Sequence, residues 1–235
     1  MTISLAIPSK GRMKEQTFDA LAVAGLPVEQ PNERKYTAGF VGRNEVEVVC
    51  FTASEIPAKL AQGVVEIGIT GEDLLVESRD DWQERMEIIA RLGFGRADIV
   101  LAVPQAWVDV ETIADLDDVA ADFHERYGRR LRIATKYRRL TQRFLSGVHG
   151  MRAYRIVESL GATEGTPATG SADAIIDVTT TGTTLRANHL KVLEDGLVLR
   201  SQACLVASRK RRREIDQNLI DEIATKLTSR RDRFF

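Results

Sequence analysis

Apolar residues along the chain fall into two kinds of pattern. The segments ISLAIP (3–8), EVEVVCFT (45–52) and VEIGIT (65–70) cluster or alternate aliphatic residues over lengths that suit strands. Between them, residues 13–24 and 55–62 repeat apolar positions at helical spacing. A second series runs from ADIVLAVP (97–104) through LRIAT (131–135), a predicted helix over RRLTQRFLSG (138–147), a predicted helix over AYRIVESLG (153–161) and a strand over ADAIIDV (172–178). Strands alternating with helices mark an α/β protein, and two series predict two lobes. Apolar character returns in SQACLVAS (201–208), so the chain is expected to cross back and complete the first lobe. The expected lobes are residues 1–98 with 187–235, the latter bringing a C-terminal crossover helix, and residues 99–186. The outgoing crossing is expected near Gly95 to Ile99 and the return near Arg186 to Lys191.

After the last strand-like run, residues 209–213 are all basic. No aromatic or glycine-rich interleaving accompanies them, so a solvated helix start is favoured over a nucleic-acid patch. Beyond the run, Ile215, Leu219, Ile223 and Leu227 recur every four residues and form a stripe that must be covered by the lobe or by another subunit.

Composition narrows the class. The chain has 235 residues, 43% hydrophobic and 29% charged, with a net charge of −1, which gives no global electrostatic case for nucleic acid or membrane. An anionic ligand would therefore need a local basic site. MTISLAIPSKGRMKE turns basic at Lys10, Arg12 and Lys14 after a short apolar run and does not read as a signal peptide. No apolar run approaches membrane-spanning length. Cys50 and Cys204 sit in apolar stretches and read as free thiols, and His124, His149 and His189 form no ligand-spaced cluster with them. The expectation is a cytoplasmic protein without structural zinc.

The richest chemistry lies in DAIIDVTTTGTTLRAN (173–188). An aliphatic strand gives way to Thr179, Thr180, Thr181, Gly182, Thr183 and Thr184, with a helix expected from about Leu185. Hydroxyls, a permissive glycine and a helix N-terminus at the carboxyl end of a strand suit a phosphate. A threonine-rich strand-to-helix loop with a hydroxyl N-cap fits the same residues. Asp177 favours the first reading, since a carboxylate at the strand end can accept from sugar hydroxyls. Asp173 lies about 13 Å away along a strand, too far to share one diol with it.

EGTPATGSADAIIDVTTTGTTL (164–185) resembles the phosphoribosyl diphosphate signature of the ATP phosphoribosyltransferases, which carry out the first step of histidine biosynthesis. IPSKGRM (7–13), VEIGITGEDLL (65–75), RLGFGRADIVLAVP (91–104) and RIATKYRRLTQRFL (132–145) follow the same family's order. The resemblance implies an α/β fold of two lobes similar to type II periplasmic binding proteins, with the active site in the cleft between them. It also implies joining of N1 of ATP to C1 of the phosphoribosyl group, with release of pyrophosphate. The chain resembles the short form of the family, which works with a histidyl-tRNA-synthetase-like regulatory subunit, and a homodimer of catalytic chains is expected.

Neither step of that reaction demands an acid or base from the protein, because adenine N1 is already unprotonated near neutral pH and Mg²⁺-bound pyrophosphate leaves without a proton. Positioning and electrostatics must do the work, with Mg²⁺ carried by the substrates and its protein ligands left open. Lys10, Arg12 and Asp177 are the expected electrostatic positioners. Donor contacts are expected from Glu164, Asp177 and Thr179 to Thr184. ATP contacts are expected from Lys10, Gly11, Arg12, Gly71, Asp73, Thr135, Lys136 and Tyr137. Capping by Thr70 or Asp73, and packing by Tyr137, stand as alternatives for those positions. The chain departs from many relatives in two places. Arg138 and Arg139 follow ATKY where Pro-Asn is common, and Thr52, Ala53 and Ser54 stand where an arginine is common. A solute-binding module of the same architecture, and a phosphoribosyltransferase for another nitrogen base, remain as rival functions.

Overall fold

The structure, a computed structural model, describes residues 2–29, 37–210 and 217–229. The chain divides into two compact units, Met1–Arg96 with Ser201–Phe235, and Ala97–Arg200.

The first unit contains β1 (Ile3–Pro8), α1 (Gly11–Val23), β2 (Val28–Glu29), β3 (Thr37–Phe40), β4 (Arg43–Phe51), α2 (Ile56–Gln62), β5 (Ile67–Gly71), α3 (Glu72–Ser78), α4 (Trp82–Arg85) and β6 (Met86–Arg91). The second contains β7 (Ala97–Pro104), α5 (Ile113–Tyr127), β8 (Leu131–Thr135), α6 (Arg138–Gln142) with a π-helical turn over Arg143–Val148, and β9 (Tyr154–Glu158). A 3₁₀ turn at Thr163–Gly165, β10 (Ala174–Thr179), α7 (Thr183–Ala187) and β11 (Leu190–Ser201) follow. The chain then returns to the first unit as β12 (Ala203–Ser208) and α8 (Gln217–Thr228).

In the first unit one sheet runs β2-β3-β4-β1-β5-β12-β6. At its centre β1 pairs in parallel with β4 and β5, and the returning β12 inserts antiparallel to β5 and β6. Leu5, Ala6 and Ile7 are fully buried on successive positions, as a strand covered on both faces requires. The C-terminal stripe is covered by this unit itself: Leu219, Ile220, Ile223 and Leu227 of α8 join the core formed with Ile3, Leu5 and Leu205. The Arg43 guanidinium donates to Glu222 on α8 at 2.7 Å. Ile215 and the basic residues 211–213 lie outside the described residues.

The second unit's sheet runs β11-β7-β10-β8-β9. β10 lies parallel to β8 and antiparallel to β7, so the buried strand expected from 172–178 exists within a mixed sheet. The sequence reading differs from the structure at three points. The segment read as helix over 153–161 is the edge strand β9, parallel to β8 with Leu131 opposite Tyr154 and Thr135 opposite Glu158. Its apolar positions fit either period, but Leu160, which a helix would have turned inward, is 82% exposed. The return crossing falls at Arg200–Ser201, not near 186–191, because β11 pairs into the second unit's sheet beside β7. The long helix α5 was not anticipated. It starts on a reciprocal capping box between Thr112 and Asp115 and stops at Gly128 in the left-handed region.

Candidate functional site

The second unit carries the threonine loop. Within β10 the buried aliphatic residues end at Ile176, and the strand ends at Thr179, followed directly by exposed Thr180 and Thr181. Gly182 then takes φ +69°, a conformation that favours glycine, and starts α7. The turn is tied by its own groups. The Gly182 N–H donates to Thr179 Oγ1 at 2.9 Å, and the hydroxyls of Thr181 and Thr183 are 3.0 Å apart. Arg186, one turn into the helix, donates from Nη2 to the Thr181 carbonyl at 3.1 Å and to Thr183 Oγ1 at 3.3 Å. No side chain caps α7; Gly182 occupies the N-cap, and Thr180, Thr181, Thr183 and Thr184 are exposed.

Asp177 stands one turn of the pleat before this loop, half-buried near the end of β10. Burial pushes its carboxyl above the usual aspartate range. A backbone hydrogen bond at Val178, the charge of Lys136 and the Thr163 hydroxyl pull it down, while the charge of Glu164 adds to the rise. The charges of Lys136 and Glu164, both named from sequence, therefore act on Asp177 in opposite directions. The other two members of the Thr-Lys-Tyr run are buried: the Thr135 hydroxyl accepts from the Tyr137 N–H at 2.9 Å, and Tyr137 lies in the interior. Lys136 stays exposed, with Nζ 5.0 Å from the centre of the Tyr137 ring. Asp173 has a different environment. Arg129 donates to it from Nη1 at 2.7 Å, Arg132 from Nη2 at 3.0 Å and from its backbone N–H at 2.8 Å.

In the first unit Lys10, Gly11 and Arg12 are exposed where β1 passes into α1, and Gly11 adopts φ +72° with open space around it. The Thr52 to Ser54 segment holds Glu55. The Thr52 N–H and hydroxyl donate to Glu55 Oε2 at 3.0 and 2.6 Å, and with Lys59 and Lys10 nearby the carboxyl is held below its ordinary range. Gly71 is buried and is the N-cap of α3; Thr70 instead donates to the Ala53 carbonyl at 2.8 Å, so neither Thr70 nor Asp73 caps that helix. Asp73 is fixed by a residue 128 positions away: its N–H donates to Ser201 Oγ at 3.0 Å, and the Ser201 hydroxyl donates to Asp73 Oδ1 at 2.7 Å. Beside it Arg91 grips the buried Glu72 with two bonds of 2.6 and 3.0 Å.

Sequence reading missed three of these residues. Arg186 had a local signal, since it lies four positions after Gly182 and its N–H donates to the Gly182 carbonyl at 3.0 Å. Thr163 and Ser201 had none, because tertiary contacts alone bring them to Asp177 and Asp73. Among the described residues no three His, Cys, Asp or Glu side chains gather to hold a metal ion.

Residues 52–229 match the family model HisG, described as ATP phosphoribosyltransferase. The chain belongs to the ATP phosphoribosyltransferase family. A family protein from Mesorhizobium japonicum is 62% identical over 97% of this chain and 98% of its own, and one from Brucella melitensis is 57% identical over 97% of each. Among solved structures the chain is similar to an ATP phosphoribosyl transferase (HisG:HisZ) complex from Thermotoga maritima, with TM-score 0.75 at 24% identity over 99% of both chains. It is also similar to the arginine-, lysine-, histidine-binding protein ArtJ from Geobacillus stearothermophilus, with TM-score 0.52 at 12% identity over 99% of this chain and 90% of that one. These likenesses establish the family's fold, two α/β lobes of the type II periplasmic-binding-protein kind, as the resemblance implied. Membership makes the chain a transferase of the ATP phosphoribosyltransferase class, the first step of histidine biosynthesis.

Proposed function

We propose that the chain transfers the 5-phosphoribosyl group from phosphoribosyl diphosphate to N1 of ATP, and that the loop from Thr179 to Thr184 holds the donor. A bond forms between adenine N1 and ribose C1, the bond from C1 to the pyrophosphate oxygen breaks, and pyrophosphate leaves with the electron pair. The observation that carries the reading is a half-buried Asp177, acted on by the charges of Lys136 and Glu164, at the strand end before a loop of exposed hydroxyls and a left-handed glycine. An ionised Asp177 accepts from the ribose hydroxyls, the loop N–H and O–H groups take the 5′-phosphate, and Lys136 offsets anionic charge. Glu164 approaches the ribose from the 3₁₀ turn. A short helix N-terminus supplies only about 0.3–1 kcal/mol toward an anion, so cations carry most of the electrostatic burden. Magnesium enters with the two polyphosphates as part of the substrates.

In the first unit, Lys10 and Arg12 are the proposed contacts for the ATP or pyrophosphate anion, with Gly11 allowing close backbone approach and Gly71 and Asp73 lining the nucleotide. Thr135 and Tyr137 serve by fixing the backbone that presents Lys136. In place of an arginine at Thr52 to Ser54, Lys10 and Lys59 are the cations that face Glu55. A separate regulatory subunit of the histidyl-tRNA-synthetase-like kind is part of the proposal, supported by the likeness over 99% of both chains to a chain of the Thermotoga maritima HisG:HisZ complex. Pairing of catalytic chains belongs to it as well. So does a cytoplasmic setting, supported by two buried cysteines that form no disulfide and by the lack, among the described residues, of a helix long and apolar enough to cross a membrane.

The test is turnover. The purified chain, with and without the regulatory subunit, is mixed with ATP, phosphoribosyl diphosphate and Mg²⁺, and the adduct and pyrophosphate are measured. Stoichiometric formation of both is expected. Ligand binding without turnover in either arrangement would point to a binding module, and turnover with another base alone to a different phosphoribosyltransferase.

A further inference from the structure

The second unit holds a cavity of about 820 Å³ on the side of β8 and β9, walled by α6 and its π-helical turn. Five cations line it, Arg130, Lys136, Arg138, Arg152 and Arg155, against one carboxylate, Glu158. For a chain of net charge −1 this is a strong local excess of positive charge.

The same sheet edge shows how the protein treats an arginine that it uses structurally. Arg132 and Arg155 are directly paired across β8 and β9. Arg132 is neutralised by Asp173, as is Arg129. Among the described residues no carboxylate forms an ion pair with Arg130, Arg138, Arg152 or Arg155, and all four are exposed. Four unpaired guanidiniums around one concavity repel each other and focus a positive potential there, an arrangement that an anion relieves. The floor adds hydroxyls: Ser146 Oγ lies 2.8 Å from the Tyr154 hydroxyl, and both border the cavity.

We propose that this cavity is a second anion site, distinct from the threonine loop, that takes a polyphosphate chain, either free or carried on a nucleotide. Guanidiniums match phosphate oxygens with paired N–H donors, and several spaced along a cavity suit several linked phosphates better than one carboxylate. Lys136 borders the cavity, and its charge also acts on Asp177, so one cation influences both sites.

The experiment measures binding of inorganic tripolyphosphate, and separately of ATP, by calorimetry to the full chain, to Arg152→Ser/Arg155→Ser, to the charge-keeping Arg152→Lys/Arg155→Lys, and to Gly182→Val. Circular dichroism checks that each variant is folded. Tripolyphosphate affinity is expected to fall about tenfold or more in the serine pair, to recover substantially in the lysine pair, and to stay within about twofold in Gly182→Val. A matching loss for ATP identifies nucleotide-borne polyphosphate as a ligand of the site, and a loss for tripolyphosphate alone identifies the free chain. Wild-type affinity in the serine pair, or loss confined to Gly182→Val, overturns the proposal, because the anion would then bind outside this cavity.

Discussion

Asp173 accepts two side-chain hydrogen bonds from Arg132, to Oδ1 at 3.0 Å and Oδ2 at 3.2 Å, and a third from the Arg132 backbone N–H at 2.8 Å. With Arg129 added, the carboxyl drops to about 2 despite burial, its largest single influence, which works the other way. This aspartate just before β10 is a clamp between the sheet and its neighbours. Asp173→Asn is expected to lower unfolding free energy by about 2 kcal/mol in urea titration while leaving kcat/KM of the folded fraction near wild type.

The same clamp sets an acid limit. A depressed carboxyl contributes stability above the unfolded aspartate value, about 3.9, and loses it as pH falls toward its folded value of about 2. Wild type is expected to lose stability between those two pH values more steeply than Asp173→Asn, and urea midpoints measured across that window check it.

Asp177 is perturbed in the opposite direction. Because burial raises its carboxyl, its contribution to stability is greatest below the unfolded value and is lost as pH rises through the folded one. Asp177→Asn is therefore expected to be at least as stable as wild type at neutral pH. Its KM for phosphoribosyl diphosphate should rise about tenfold or more, since a hydrogen bond to a charged acceptor is lost. Donor affinity of the wild type should decline on acidification at a higher pH than an ordinary aspartate would dictate, and that step should vanish in the asparagine variant. Donor KM against pH for both proteins is the measurement.

Gly182→Val forces a branched side chain to φ +69° and brings its Cβ to 2.9 Å from Arg186 Nη1. Arg186 can swing away, so the backbone conformation dominates, with a stability loss of about 1–2 kcal/mol. Donor KM should rise while KM for ATP changes little, which steady-state kinetics in each substrate would reveal.

Ser201→Ala removes the two hydrogen bonds that Ser201 makes with Asp73. Loss of a half-buried pair is expected to cost about 1 kcal/mol of stability and to raise KM for ATP more than KM for the donor. Equal effects on the two constants would assign Ser201 to the fold alone.

How much of this was legible depended on whether the signal was local. The strand ending at Asp177 and the helix after Gly182 could be read from an aliphatic run that stops abruptly at hydroxyls and glycine, and the α8 stripe from its four-residue recurrence. β9 was misread because Tyr154, Ile156, Val157 and Leu160 suit two periods, and only the pairing of β9 with β8 decides between them. The return crossing was placed too early because residues 190–201 carry mixed polarity, and their place beside β7 is a tertiary fact. That Asp173 and Asp177 stand too far apart to act on one diol was legible from spacing alone. Their partners, Arg132 for the first and Thr163 for the second, were not, since each comes from a different segment of the sheet's surroundings.

A crystal structure of the chain with phosphoribosyl diphosphate and Mg²⁺ tests the assignment of the threonine loop most directly. The 5′-phosphate is expected on the N–H and hydroxyl groups of Thr180 to Thr184, with the ribose hydroxyls on Asp177. Density for the donor elsewhere, with Asp177 making no contact to the sugar, would contradict it.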